Sequence, residues 1–193
     1  MSWKGITVVL LAAFGSSLCL SEIQRKCVET FDEELSNDFL LGTWYFMVKF
    51  ILFGSLVPTT RCSTSILQKA NTTEIERYKN EYWTADIPYS FDDNPLHEHE
   101  HTGFQPEGLV IGNKQAKFHI MDPATHFHRP LYELRVYQRL TDDFVLYHDC
   151  TSRGNVMWLL SKKRNPTNEE LQAIIQTRPE LVRMDQHRHC SPI

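Results

Sequence analysis

The feature that most constrains this chain is a series of short segments rich in aromatic and β-branched residues, separated by turn-forming residues. One of them, Tyr132–Leu140, alternates, so that Leu134 and Val136 fall on one face and Glu133 and Arg135 on the other. Segments of this kind occupy 43–52, 62–69, 73–80, 82–87, 108–112, 116–121, 132–140, 144–150 and 156–161. Eight or so short strands at this spacing are typical of an antiparallel barrel or sandwich.

Three other regions have different patterns. Residues 23–41 predict an irregular entry with a short helical turn, and the polar, proline-containing stretch 90–106 predicts a loop or a frayed edge strand. Residues 167–178 predict a helix, because Thr167 and Glu170 form a capping box and an apolar stripe follows at Leu171, Ile174 and Ile175. An amphipathic helix of this length needs an apolar surface, which the outside of a barrel provides.

The N-terminus has the pattern of a secretory signal peptide. Lys4 supplies a positive charge, and Ile6–Phe14 is an apolar run too short to span a bilayer. Small residues up to Ser21 favour cleavage before Glu22, which gives a signal peptide at 1–21 and one domain at 22–193. We therefore expect a secreted, extracellular protein that is not an integral membrane protein; the alternative is a retained N-terminal anchor.

The charge balance and motifs exclude several function classes. Without Lys4, 19 Lys and Arg residues face 24 Asp and Glu residues, so the net charge is 19 − 24 = −5. This mild acidity argues against nucleic acid or an anionic membrane as the main partner. The sequence contains no G-x-S-x-G, H-E-x-x-H or P-loop motif, so we expect no enzyme activity and no catalytic residues.

Cysteine usage fits an oxidising compartment. Cys19 leaves with the signal peptide, and the four that remain, at positions 27, 62, 150 and 190, predict two disulfides. Spacing alone leaves all three pairings open. Asn71-Thr72-Thr73 is an N-glycosylation acceptor, which predicts a surface position for Asn71 and a glycoprotein.

The first strand opens with Gly42-Thr43-Trp44-Tyr45. This motif, the Thr141-Asp142 step before the strand ending at Cys150, and the helix after Ser161 together resemble the lipocalin family. The resemblance covers about residues 25–190 and is strongest to the apolipoprotein D-like branch, which includes insect bilin-binding proteins. It implies an all-β fold: an eight-stranded antiparallel up-and-down β-barrel with one C-terminal α-helix packed outside.

The resemblance also implies specific structural roles. It pairs Cys27 with Cys150 and Cys62 with Cys190. It places Gly42 and Trp44 at the closed floor of the barrel, with a basic residue stacked on the indole. That residue is Lys162 by direct position, or Arg164 if two residues are inserted.

The function implied by the resemblance is binding and transport of a small hydrophobic ligand in the barrel cavity, without a cofactor. Fatty acids, sterols, retinoids and bilins are the candidate classes. The predicted cavity residues are aromatic or aliphatic, as in most small-molecule sites: Trp83, Leu109, Phe118, Tyr132 and Leu134. The alternative is that these side chains only pack the core.

The run His97-Glu98-His99-Glu100-His101 allows other functions. In an extended chain, His97, His99 and His101 share one face and predict, as an alternative, a haem or divalent-metal site. A solvated loop at the barrel mouth, or a pH-sensitive one, explains the same residues. A third possibility is a lipocalin shell that acts through its loops on a protein such as a cell-surface receptor.

Overall fold

The fold is mostly β-structure with short helices around it. The computed structural model describes residues 20–52, 62–81, 90–100, 107–122, 132–150 and 156–190. The strands of these ranges are β1 (Gly42–Ile51), β2 (Thr64–Lys69), β3 (Leu96–Glu100), β4 (Gly108–Ile111), β5 (Ala116–Met121), β6 (Tyr132–Arg139), β7 (Phe144–Asp149), β8 (Val156–Ser161) and β9 (Asp185–Arg188). The helices are α1 (Glu22–Thr30), α2 (Asn37–Leu40), α3 (Thr72–Glu81), α4 (Asn168–Gln176) and α5 (Pro179–Val182).

Strands β1 to β8 form a closed antiparallel barrel. Each strand from β2 to β7 pairs with the next along the chain, and β1 joins β8 to β2. Gly42 of β1 lies opposite Leu67 of β2, and Phe46 lies opposite Leu160 of β8. The up-and-down barrel predicted from the sequence is therefore confirmed. Closure leaves fewer unpaired edges than an open sheet would have.

Strand β9 lies outside the barrel and pairs with the part of β1 that β2 leaves unpaired. β2 pairs with β1 only from Gly42 to Tyr45, and β9 takes over from Val48 to Ile51. The sequence pattern does not predict β9, because its four residues are all polar and all exposed, which leaves no alternation to recognise.

A β-bulge at Met47 reverses the direction of the β1 side chains. The pairing with β8 shifts between Phe46 and Val48. Before the shift, Trp44 and Phe46 pack in the barrel interior; after it, Val48 and Phe50 join the cluster under α4. A bulge inserts one unpaired residue and so changes which residues face the core. One strand thereby serves both the interior and the outer helix.

The side chains of the barrel form one interior and two outer clusters. The interior cluster draws on seven of the eight barrel strands: Trp44, Phe46, Leu67, Leu96, Val110, Tyr137, Val145, Tyr147 and Leu160, with Leu35 and Leu40 from the entry segment. One outer cluster lies beneath α1 and α3 and contains Cys27 and Tyr78. The other lies beneath α4, where Leu171 and Ile175 pack on Phe144 and Leu159. The capped helix predicted outside the barrel is confirmed, with Glu170 N donating to Thr167 Oγ1 over 3.1 Å.

Three secondary-structure predictions are wrong. The entry segment is predicted to be irregular, but residues 22–30 form helix α1, because Ser21 and Gln24 make a capping box. Residues 73–80 form helix α3 rather than a strand, because Asn71 and Glu74 cap its start and Tyr78 packs into the outer cluster. Residues 96–100 form β3, a barrel strand with β2 on one side and β4 on the other, rather than a loop or frayed edge. The polarity of β3 suggests a loop, but His97 and Glu98 are buried by neighbours far away in the sequence.

Both disulfides implied by the resemblance are present. Cys27 of α1 bonds Cys150 after β7, and Cys62 before β2 bonds Cys190 after β9. They close loops of 123 and 128 residues. The fold as described begins at Leu20, which packs on the outer cluster, and Ser21 caps α1 by accepting a hydrogen bond from Gln24 N over 3.2 Å.

The closed end of the barrel is built around Trp44. The indole is buried, its Nε1 donates to Leu40 O over 2.7 Å, and Gly42 enters the strand with φ of 109°, a region that favours glycine. Lys162 Nζ lies 4.9 Å from the Trp44 ring centroid and donates to Phe39 O over 2.9 Å. Lys162 is thus the basic residue on the indole, and Arg164 is exposed.

We predict that Lys162→Met lowers the free energy of unfolding by about 1–2 kcal/mol, because it removes a cation–π contact and a charged hydrogen bond. Lys162→Arg should keep most of that stability, since a guanidinium also stacks on indole. Urea unfolding followed by tryptophan fluorescence measures both. A Met variant as stable as the parent would show that the lysine only covers the floor.

Candidate functional site

A group of buried polar residues crosses the barrel interior. This interior network consists of Ser65 on β2, Glu98 on β3, His119 on β5, and Glu133 and Arg135 on β6. Ser65 and Glu98 are 3% exposed, and His119 and Arg135 are fully buried. Fully buried charges are rare unless they are paired, so a cluster of this kind is a candidate functional site.

Strand alternation explains why these side chains meet. On β3, the interior positions are Leu96 and Glu98, while His97 and His99 point outwards. On β5 and β6, cross-strand pairing sets His119 opposite Glu133. Gly108 of β4 lets β5 approach closely, because a Cβ there would lie 2.6 Å from His119 Nε2 and 2.3 Å from Ile120 O.

The hydrogen bonds of the network converge on two groups. Arg135 Nη1 donates to Glu98 Oε2 over 2.6 Å, and Arg135 Nε and Nη2 both donate to Glu133 Oε2, over 3.0 and 2.9 Å. Ser65 Oγ donates to Glu98 Oε1 over 2.5 Å. One guanidinium therefore serves two carboxylates, and each oxygen of Glu98 has a donor.

His119 completes the network as a neutral imidazole. Its Nε2 lies 3.3 Å from Glu98 Oε2. Burial lowers the pKa of His119 well below its ordinary value, and the nearby Arg135 charge adds to that effect. Among the described residues, His119 Nδ1 has no hydrogen-bond partner. A buried ring nitrogen of this kind is an unsatisfied polar group inside the protein.

Between the network and the barrel floor lies a closely packed part of the interior, in which the side chains leave no space for a water-sized molecule. Its side chains are mainly aromatic and aliphatic, with Trp44 at the base and Glu98, Ser65 and the two tyrosines Tyr137 and Tyr147 as the polar part. Burial raises the pKa of the Tyr137 hydroxyl well above its ordinary value, and the Glu98 charge adds to the rise, so this group stays neutral. Apolar walls with a few convergent polar groups are the usual composition of a small-molecule site.

The cavity residues predicted from the sequence lie elsewhere. Leu109, Phe118 and Leu134 belong to the outer cluster under α1 and α3, and Tyr132 packs against it. These four side chains therefore lie together on the outer face of the sheet and do not line the barrel interior. Trp83 and His101 lie outside the described residues.

The interior residues were missed because a barrel covered by helices has apolar side chains on both faces. In β6 the predicted alternation is correct, but the prediction places Leu134 in the interior, whereas the apolar side chains of this strand lie on the outer face. The available signal was Glu98, which stands in a strand-length alternating run. In an extended strand, Glu98 faces the opposite side of the sheet from His97 and His99. If the two histidines face outwards, Glu98 faces the barrel interior.

The outer face of β3 carries a second polar group. The rings of His97 and His99 lie 4.0 Å apart, His97 Nδ1 is 2.9 Å from Glu74 Oε1, and His99 Nδ1 is 3.3 Å from Glu107 Oε1. Two of the three predicted metal ligands are thus adjacent. They lie on the outside of the barrel rather than in a loop at its mouth.

No protein-family model and no curated protein sequence matches this chain significantly. The closed eight-stranded antiparallel barrel is consistent with a lipocalin-like fold. None of the helices in the described ranges has the length and apolar character needed to cross a bilayer.

Proposed function

We propose that this protein is a secreted lipocalin of the apolipoprotein D-like branch that binds and carries one small, largely hydrophobic molecule in its barrel. The observation that supports this most is the closed barrel, whose interior combines an aromatic floor with a buried polar network. Because side chains fill that interior, a ligand has to displace some of them to enter. The predicted signal peptide and the two disulfides support an extracellular role. The mechanism is burial, at about 25 cal/mol per Å² of apolar surface removed from water.

The network favours some head groups over others. Arg135 is already shared by Glu98 and Glu133, so an anionic ligand group near it would meet two carboxylates at short range. A neutral or positively charged group avoids this repulsion and can hydrogen bond to the Tyr137 hydroxyl, which lies in the same part of the interior as Glu98. Among the ligand classes considered, retinoid alcohols and sterols therefore fit better than fatty acids or bilins, whose carboxylates are charged at neutral pH.

Retinol and retinoic acid provide a matched test, because the two molecules differ mainly in the head group. We predict saturable binding of retinol and at least tenfold weaker binding of retinoic acid, as expected for two charges several ångströms apart at intermediate dielectric. Glu98→Gln should reduce the difference in affinity between retinol and retinoic acid, because it strengthens retinoic acid binding. Glu180→Gln, at an exposed position, should leave that difference in affinity unchanged. Quenching of tryptophan fluorescence measures all six combinations of the two ligands with the parent and the two variants.

The outcomes separate the carrier role from the head-group assignment. Equal binding of both retinoids would retain the carrier and reject the role of Glu98. Failure of retinol, sterols and fatty acids alike to saturate the protein would count against the carrier role and favour action through the loops on a protein partner.

A further inference from the structure

The outer face of β3 brings three metal-ligating side chains together. His97 and His99 share this face because they are two residues apart on a strand. Pairing of β3 with β4 sets Glu98 opposite Gly108, which carries the preceding Glu107 alongside. One nitrogen of each imidazole and one oxygen of Glu107 all lie within 4.8 Å of one another.

His97 is held in position by a carboxylate on another element. Glu74 of α3 lies 2.9 Å from His97 Nδ1, and the His97 residue is only 8% exposed. A carboxylate that accepts from one ring nitrogen fixes the ring orientation and leaves the other nitrogen as an electron-pair donor, the arrangement found behind metal-bound histidines. The contact between Glu74 and His97 depends on helix α3, which places Glu74 beside the outer face of β3.

The other nitrogen of His97 lacks a partner. Among the described residues, His97 Nε2 is buried and makes no hydrogen bond. Leaving a buried polar atom unsatisfied costs about 1–3 kcal/mol, so such an atom calls for an explanation. A cation bound beside it would supply the missing interaction.

We propose that His97, His99 and Glu107 form a binding site for a divalent transition metal, with Zn²⁺ as the best-fitting common ion. Two imidazoles and one carboxylate match the ligand preferences of Zn²⁺, and one coordination position remains for water. Glu74 is the positioning residue for His97. The site lies outside the barrel and is independent of the ligand proposed for the interior.

To reach zinc-binding distances, the partly exposed side chains of His99 and Glu107 have to move towards His97. Zinc bonds of about 2.0–2.2 Å place tetrahedral ligand atoms about 3.3 Å apart, closer than the 4.8 Å limit of the present cluster. The side chains of His99 and Glu107 are 38% and 52% exposed, so both can turn towards His97 without repacking the core. Their exposure also gives the ion a direct path from solvent.

The test is zinc binding by the full mature protein after treatment with a chelator. Titration calorimetry with ZnCl₂ should show one ion per chain. His99→Ala and Glu107→Gln should each weaken binding at least tenfold, and Glu74→Gln should weaken it about 10–100-fold with the same stoichiometry. His187→Ala, on the exposed strand β9, is the matched control and should leave the affinity unchanged.

A second measurement distinguishes this site from scattered surface histidines. Co²⁺ should give visible absorption bands of a low-coordinate nitrogen–oxygen site in the parent and the His187→Ala variant, and lose them in His99→Ala. Because the His99 and Glu107 variants alter exposed side chains, circular dichroism should show them folded. Absence of saturable zinc binding in the parent, or unchanged binding in both of these variants, would overturn the proposal.

Discussion

Replacing Arg135 with methionine is expected to lower the free energy of unfolding by about 3–5 kcal/mol, the usual cost of removing one partner from a buried ion pair. Arg135 is fully buried, and it is the only cation hydrogen-bonded to Glu98 within the described ranges. Without it, the polar groups that remain close to Glu98 among the described residues are uncharged, and they include Ser65, the neutral His119 and Tyr137. The lost stability therefore comes mainly from an uncompensated buried carboxylate.

Guanidinium unfolding of the parent and variant, followed by tryptophan fluorescence, measures the effect. The double variant Glu98→Gln/Arg135→Met should recover much of the loss, because it removes the stranded charge. Arg183→Met, at an exposed position, is the control and should change stability by less than about 0.5 kcal/mol. An Arg135→Met variant within about 1 kcal/mol of the parent would mean that water reaches Glu98 in the folded protein.

Stability should also rise steeply with pH above neutrality because of Lys117. This side chain is fully buried near the closed end, and burial lowers its pKa to about 7. Its Nζ donates to Leu35 O over 2.7 Å and to Gly112 O over 2.9 Å. A neutral amine has two N–H groups and satisfies both carbonyls, whereas the ammonium form would bury a third donor and a charge.

The direction of the pH effect follows from the two pKa values. The unfolded chain has a lysine pKa near 10.4, so between about pH 7 and pH 10 the unfolded state holds a proton that the folded state has lost. Raising the pH through this window therefore favours folding, by on the order of 4 kcal/mol in total. Below pH 7 both states are protonated and this contribution becomes flat.

Denaturant unfolding at pH 7, 8, 9 and 10 measures the slope, and Lys117→Met should abolish it. The Met variant leaves the carbonyls of Leu35 and Gly112 without this donor, so its absolute stability is less informative than its pH dependence. Lys26→Met, on the exposed side of α1, should retain the parental slope. A parental stability that is constant from pH 7 to pH 10 would contradict the buried neutral lysine.

The sequence predicts the barrel well because its evidence is local. Strand alternation, the capping box at Thr167 and the Gly42–Tyr45 motif each depend on neighbouring residues. The strand predicted at 73–80 is wrong because β-propensity takes no account of the helix cap that Asn71 and Glu74 form. The apolar positions of this segment, Ile75 and Tyr78, are three residues apart, which is a helical and not a strand spacing.

The candidate sites were harder to predict because each depends on contacts between distant residues. Glu98 and Arg135 are 37 positions apart, and nothing near either one identifies the other. The metal-site prediction included His97 and His99 because they are adjacent on one strand. It omitted Glu107 and Glu74, which reach them only through sheet pairing and the packing of α3.

The position of β9 beside β1 has a consequence for how this protein behaves among its own copies. Where β2 separates from β1, the backbone amides and carbonyls of Val48–Ile51 would otherwise face solvent as a bare strand edge. Such edges recruit strands from other molecules and begin aggregation. The polar β9, with Cys190 beyond it bonded to Cys62 before β2, covers that edge with residues from the same chain. The C-terminal tail therefore prevents this edge of β1 from pairing with strands of other copies of the chain.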